Sequence, residues 1–175
     1  MFKKENIDDT TEYNPINNLE SFAKLYGYIR YFHPSDEASQ INWEQFAIYG
    51  VQKVKGAKSI EELKTLLEEL FLPIAPTMSF YYDDERPEIE TRIDESSEVI
   101  AWQHFCMGYT ESHVYSSERI VGSNVNGKIL LEKDKLFDEF PKINESIETK
   151  IVPNLNCYIP LVLNKNKDGT IGQTE

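Results

Sequence analysis

Three histidines, His33, His104 and His113, are the side chains of this chain best suited to proton transfer or metal ligation near neutral pH. A catalytic or metal role requires at least two of them to converge with a carboxylate or a thiol. His104 and Cys106 stand two residues apart, so on a strand they share a face, and His113 could return to them across a hairpin. A metal-dependent enzyme using His104, His113 and nearby acids is the chemistry such a meeting would permit. The spacing matches no usual zinc-ligand pattern, so ordinary packing or surface histidines, and no metal, are the expectation. His33 closes the run Tyr31-Phe32-His33-Pro34-Ser35-Asp36. An imidazole there could bond the last carbonyls of a helix and interact favourably with its dipole. A binding role on the same exposed turn is the functional alternative.

Other routes to catalysis find less. There is no Gly-x-Ser-x-Gly elbow, Gly122-Ser123-Asn124 has no evident base beside it, and no local pattern supports a Ser and Lys pair. No catalytic residue is therefore expected. The acidic group Asp83, Asp84, Glu85, Glu88, Glu90, Asp94 and Glu95 lacks the ligand and glycine alternation of a calcium loop and reads as a solvated connection. The eight glycines are scattered, no phosphate cradle forms, and no cofactor is implied. Cys106 and Cys157 lie in apolar strand-like segments and are expected to be buried free thiols. Most of the ten Tyr, nine Phe and two Trp fall on core stripes. Tyr81, Tyr82, Tyr109 and Tyr115 fall at segment edges, where aromatic rings can form a peptide or carbohydrate platform.

The elements that must position these residues come in two blocks. Residues 1–16 are polar and contain Asn14-Pro15, so they read as a flexible lead-in. From residue 17, Leu19, Phe22, Ala23, Tyr26 and Ile29 recur at helical steps, with Asn17 or Asn18 as the cap. Pro34 ends that helix near Phe32, because it forces His33 out of the α region. A capping box at Asn42 and Gln45 starts a second helix that Gly56 closes. Ser59 and Glu62 start a third, with Leu63, Leu66, Leu67, Leu70 and Phe71 as its stripe and Pro73 as its stop.

Beyond residue 76 the pattern is that of strands, over 77–82, 99–109, 114–121, 128–131, 147–152 and 157–163, with Asp168-Gly169 suited to a tight turn. Helices first and strands afterwards, without βαβ alternation, predict an α+β fold: a three-helix unit over residues 17–72 packed on a mostly antiparallel sheet over 77–165. Residues 166–175 read as a tail, and there is no internal repeat. At 175 residues the whole is one domain, able to bury about 70% of its unfolded surface without metal or disulfide staples.

Charge narrows the partners. Thirty Asp and Glu against 18 Lys and Arg give −12, which repels phosphate backbones and anionic membrane surfaces. No run of 18 apolar residues could span a bilayer, and the start Met1-Phe2-Lys3-Lys4 leads into polar residues. The expectation is a cytoplasmic chain as written, or a periplasmic or extracellular one if a leader was removed, with neither nucleic acid nor membrane as partner.

The stretch Asn18-Leu19-Glu20-Ser21-Phe22-Ala23-Lys24-Leu25-Tyr26-Gly27-Tyr28-Ile29-Arg30-Tyr31-Phe32-His33-Pro34-Ser35-Asp36-Glu37-Ala38 resembles a signature of large tail-specific (C-terminal-processing) serine peptidases, in the region ahead of their peptidase domain. The similarity continues through Trp43, Phe46, Ala47, Phe71, Pro73-Ile74-Ala75-Pro76, Trp102-Gln103-His104, Tyr115-Ser116-Ser117-Glu118-Arg119 and Tyr158-Ile159-Pro160-Leu161, over roughly residues 17–165. Such peptidases activate a Ser nucleophile with a Lys in a later domain, and no position here matches that motif. The resemblance thus implies a non-catalytic accessory domain that positions a peptidase domain or contacts its protein substrate. A stand-alone peptide- or protein-binding module is the alternative. Either would draw its binding residues from His33, Tyr81, Tyr82, His104, Tyr109, Tyr115 and Arg119.

Overall fold

A computed structural model describes residues 14–86, 98–105, 116–125, 128–131, 145–165 and 171–172. The chain is α+β, with helices at the front and antiparallel strands behind. Among the described residues four helices form rather than three: α1 (Pro15–Phe32), α2 (Asp36–Gln40), α3 (Trp43–Val54) and α4 (Ile60–Phe71). Helix α1 begins inside the expected lead-in. Asn14 caps it, its side chain accepting from the Ile16 N–H at 3.0 Å, and Pro15 takes the first helical position, where its missing N–H costs nothing. Asn18, expected as a cap, is instead fully buried one turn in, its amide donating to the Ala57 carbonyl at 3.0 Å.

The other caps are local, as the sequence predicts. Asn42 accepts from the Gln45 N–H at 3.0 Å, and Ser59 accepts from the Glu62 N–H at 3.1 Å. Helix α2 is the addition. Ser35 caps it by accepting from the Ala38 N–H, and Asp36 and Glu37 place negative charge in its first turn.

Among the described residues two antiparallel sheets follow, rather than one. The first orders β1 (Ser79–Tyr82), β6 (Leu155–Pro160) and β5 (Ser146–Val152) as β1-β6-β5. The second orders β4 (Lys128–Leu131), β3 (Ser116–Val125), β2 (Glu98–Phe105), β7 (Val162–Lys165) and β8 (Ile171–Gly172) as β4-β3-β2-β7-β8. The run 157–163, read as one strand, breaks at Leu161, whose N–H donates to the Glu145 carbonyl. There the chain leaves the first sheet and enters the second. Strand β8 pairs with β7 through Lys165↔Ile171 and Asn164↔Gly172, so part of the expected tail belongs to the sheet. The turn at Asp168-Gly169 lies outside the described residues.

The main core packs Phe22, Leu25 and Ile29 of α1 and Leu63, Leu67 and Phe71 of α4 against Leu155, Cys157 and Ile159 of β6. Helix α1 also reaches strand β5. Lys24 Nζ donates to the Lys150 carbonyl at 2.7 Å, and Ser21 Oγ, whose proton is directed at the Asn17 carbonyl at 2.7 Å, lies 3.3 Å from the Ile151 carbonyl. Helix α3 lies close on α1 at Gly50, where an added Cβ would overlap the Phe22 ring. The β5–β6 turn carries Pro153 followed by Asn154 at φ 68, the residue types that a type II turn requires.

Candidate functional site

The segment that carries the resemblance folds around the turn between α1 and α2. Pro34 ends α1 as expected, leaving His33 extended at φ −81, ψ 118, with its N–H still bonded to the Ile29 carbonyl. The turn is not exposed. His33 is 0% accessible, and Pro34 and Ser35 are buried with it, so an externally facing imidazole is excluded. The physical reason is long-range: Thr77, between α4 and β1, closes over the ring and meets Nε2 at 2.8 Å.

The hydroxyl proton of Ser35 can be placed by counting acceptors. Ser35 Oγ lies 2.6 Å from the Ile74 carbonyl, which can only accept, so the hydroxyl proton points there. The same oxygen accepts from the Ala38 N–H at 3.2 Å. The Ser35 N–H donates to His33 Nδ1 at 3.4 Å, the Ser35 hydroxyl oxygen lies 3.0 Å from the same nitrogen, and Nε2 meets the Thr77 hydroxyl at 2.8 Å. Burial pushes the His33 pKa down to about 3, so the ring is neutral, as this arrangement needs.

A histidine against a serine hydroxyl has the composition of a nucleophile and its base. This pair lacks the remaining requirements. The Ser35 proton is directed at a backbone carbonyl rather than at the imidazole, and Nε2 is occupied by Thr77. Both side chains are closed to solvent. The pair ties helix ends together.

Three residues of the second sheet meet the outer side of the turn. The Trp102 indole donates to the His33 carbonyl at 3.0 Å. The His104 ring stacks on Phe32 at 4.8 Å between centroids, tilted by 57°. Burial lowers the His104 pKa, and a hydrogen bond to the Tyr31 backbone partly opposes that shift. Arg119, paired with Trp102 across β2 and β3 and so on the same face, forms an ion pair with Asp36 and donates to Ser39 Oγ at 3.1 Å. The structure thus brings His33, His104 and Arg119 together, around a helix turn rather than around a cleft.

The tyrosines stand elsewhere. Tyr81 is buried on β1, and its hydroxyl donates to Glu148 Oε2 at 2.9 Å. Burial, then the Glu148 carboxylate, raises its pKa. Arg86 grips the same carboxylate through Nε and Nη2 at 3.1 and 2.5 Å and holds Glu148 below the usual carboxylate range. Beside it Asp83, lowered first by its bond from Asn156 and then by Lys150, completes a polar cluster whose charges answer one another. Tyr82 is half-buried against the main core. Neither ring lies open as a platform. Tyr109, Tyr115, His113 and Cys106 lie outside the described residues. Among the described residues no group of three His, Cys, Asp or Glu could hold a metal, and no helix is long and apolar enough to cross a membrane.

Ser35, Thr77 and Trp102 were not among the expected site residues. Ser35 had a local signal, a serine followed by Asp36 and Glu37, which is the composition of a helix start. Thr77 had none. No protein-family model, curated protein or solved structure matches this chain.

Proposed function

We propose that this chain is a non-catalytic accessory domain, which positions a peptidase domain or contacts that peptidase's protein substrate. One observation carries this reading: His33, Ser35 and Asp36 of the Tyr31–Asp36 run are consumed in tying the turn between α1 and α2 to the α4–β1 connection and to the second sheet. His33 bonds Ser35 and Thr77, Ser35 bonds Ile74, and Asp36 pairs with Arg119. Residues that resemble a peptidase signature here do scaffold work, and a rigid scaffold is what an accessory domain contributes. The charge of −12 favours protein partners over nucleic acid.

The test uses the purified chain with an unfolded protein, such as reduced and alkylated casein, as substrate. Casein should remain intact at every concentration of the folded chain. Cleavage that co-elutes with the folded protein and disappears in a Ser35→Ala, His33→Gln double variant would overturn the proposal, because His33 lies against the Ser35 and Thr77 hydroxyls and that variant removes the ring and one of them.

A further inference from the structure

Helix α3 packs Trp43, Phe46, Gly50 and Val54 inward and leaves a second stripe outside. That outer stripe is Glu44, Ile48, Val51 and Lys55, all exposed, with Ile48 at 63% and Val51 at 41%. Their spacing of four, three and four residues is the seam of a two-helix pair. Lys55 continues the stripe past the last helical residue because its backbone is still helical, at φ −58 and ψ −23. Glu44 and Lys55 have no ion-pair partner among the described residues.

We propose that this face is a self-association surface, on which α3 of a second copy of the chain lies antiparallel to the first. The charges select the occupant. The pairs 44/55 and 48/51 are centred on the same point, between Tyr49 and Gly50. A two-fold axis through that point therefore sets Ile48 against Val51 and Glu44 against Lys55, twice each, which is the self-complementarity that an isologous interface demands. Parallel pairing would instead oppose Glu44 to Glu44 and Lys55 to Lys55. The antiparallel arrangement also opposes the two helix dipoles favourably. A partner of another kind has no need of this symmetry.

Two forces limit the contact. A 12-residue helix is about 18 Å long, so the interface is smaller than the standard size and its affinity belongs to the weak class. The net charge of −12 repels a second copy, but only within about 8 Å at physiological salt, while the paired charges are in contact. Association should therefore be weak at low protein concentration and real at high.

Sedimentation velocity of the full chain at about 0.15 M salt, from low micromolar to about 1 mM protein, reads it directly. The weight-average mass should climb from 20.3 kDa towards twice that value. Glu44→Lys and Lys55→Glu should each weaken the dimer by about tenfold, since each reversal sets like charges together at two symmetric places. The double reversal should restore wild-type association, and Ile48→Asp should abolish it. All three substituted positions are exposed, and circular dichroism confirms that each variant folds. A mass fixed at 20.3 kDa throughout overturns the proposal. So does a dimer indifferent to the single reversals, or a double reversal that fails to rescue.

Discussion

His33 holds a neutral ring where water does not reach, and that has a pH signature. Unfolded, it titrates near 6.5; folded, near 3. Between those values the unfolded chain binds a proton that the native state does not. Stability from this group is therefore complete above pH 6.5 and is lost as pH falls towards 3, by about 1.4 kcal/mol per unit. Urea unfolding at pH 7.5 and pH 5 should show a loss of about 2 kcal/mol, above the range where carboxylates titrate. His104, lowered by burial, adds in the same direction, so the decisive comparison is with His33→Gln, whose pH dependence should be flatter. An unchanged slope in that variant would refute the assignment. Ser35→Ala removes a helix cap and leaves the Ile74 carbonyl buried without its donor, and should cost about 2 to 4 kcal/mol in the same assay. Cys157 is a third case: burial pushes its thiol well above the usual range, so in a Cys106→Ser variant a disulfide-exchange reagent should label it only on unfolding. The burial of Cys157 was legible in its apolar strand-like segment, whereas those of His33 and Ser35 were not, because a short polar pattern does not say what will later cover it.

The helices show what local chemistry does settle. The starts at Asn42 and Ser59 and the stop at Pro34 each involve groups within four residues, and each was legible in the sequence. Asn14-Pro15 was equally local, a cap followed by proline at the first helical position, and reading it as lead-in overlooked that grammar. Two glycines separate propensity from packing. A methyl group added at Gly27 on α1 would meet nothing within 4 Å, so Gly27→Ala should raise stability by about 0.5 to 1 kcal/mol. Gly50 gains the same propensity on substitution, but its methyl would run into Phe22, and Phe22 is wedged between Phe46 and Phe71 at 6.0 and 5.6 Å. Overpacking costs about 1 to 3 kcal/mol and should win, so Gly50→Ala should melt lower than wild type while Gly27→Ala melts higher. Equal shifts in both would mean that the α1–α3 contact opens readily enough to admit a methyl group.

At the scale of the whole molecule, the second sheet meets the helical unit through Trp102, His104 and Arg119 at one turn. Removing the indole donor and the ion pair together, in Trp102→Phe with Arg119→Ala, should speed amide hydrogen exchange in α2 and along β2 and β3 and leave α4 unchanged. Uniform acceleration would show that the joint supports the whole fold and not one contact. The Arg119 and Asp36 pair by itself, partly exposed, should contribute no more than about 1 kcal/mol in a double-mutant cycle. By itself the sequence determined the order of helices and strands, the α+β class and most helix ends, because caps, proline sterics and side-chain periodicity act over a few residues. Only the tertiary structure decided that the strands divide into two sheets at Leu161, and that His33 is sealed by Thr77, 44 residues on, and bridged by Trp102, 69 residues on. Contacts at such separations depend on how every intervening element packs, and no short pattern encodes them.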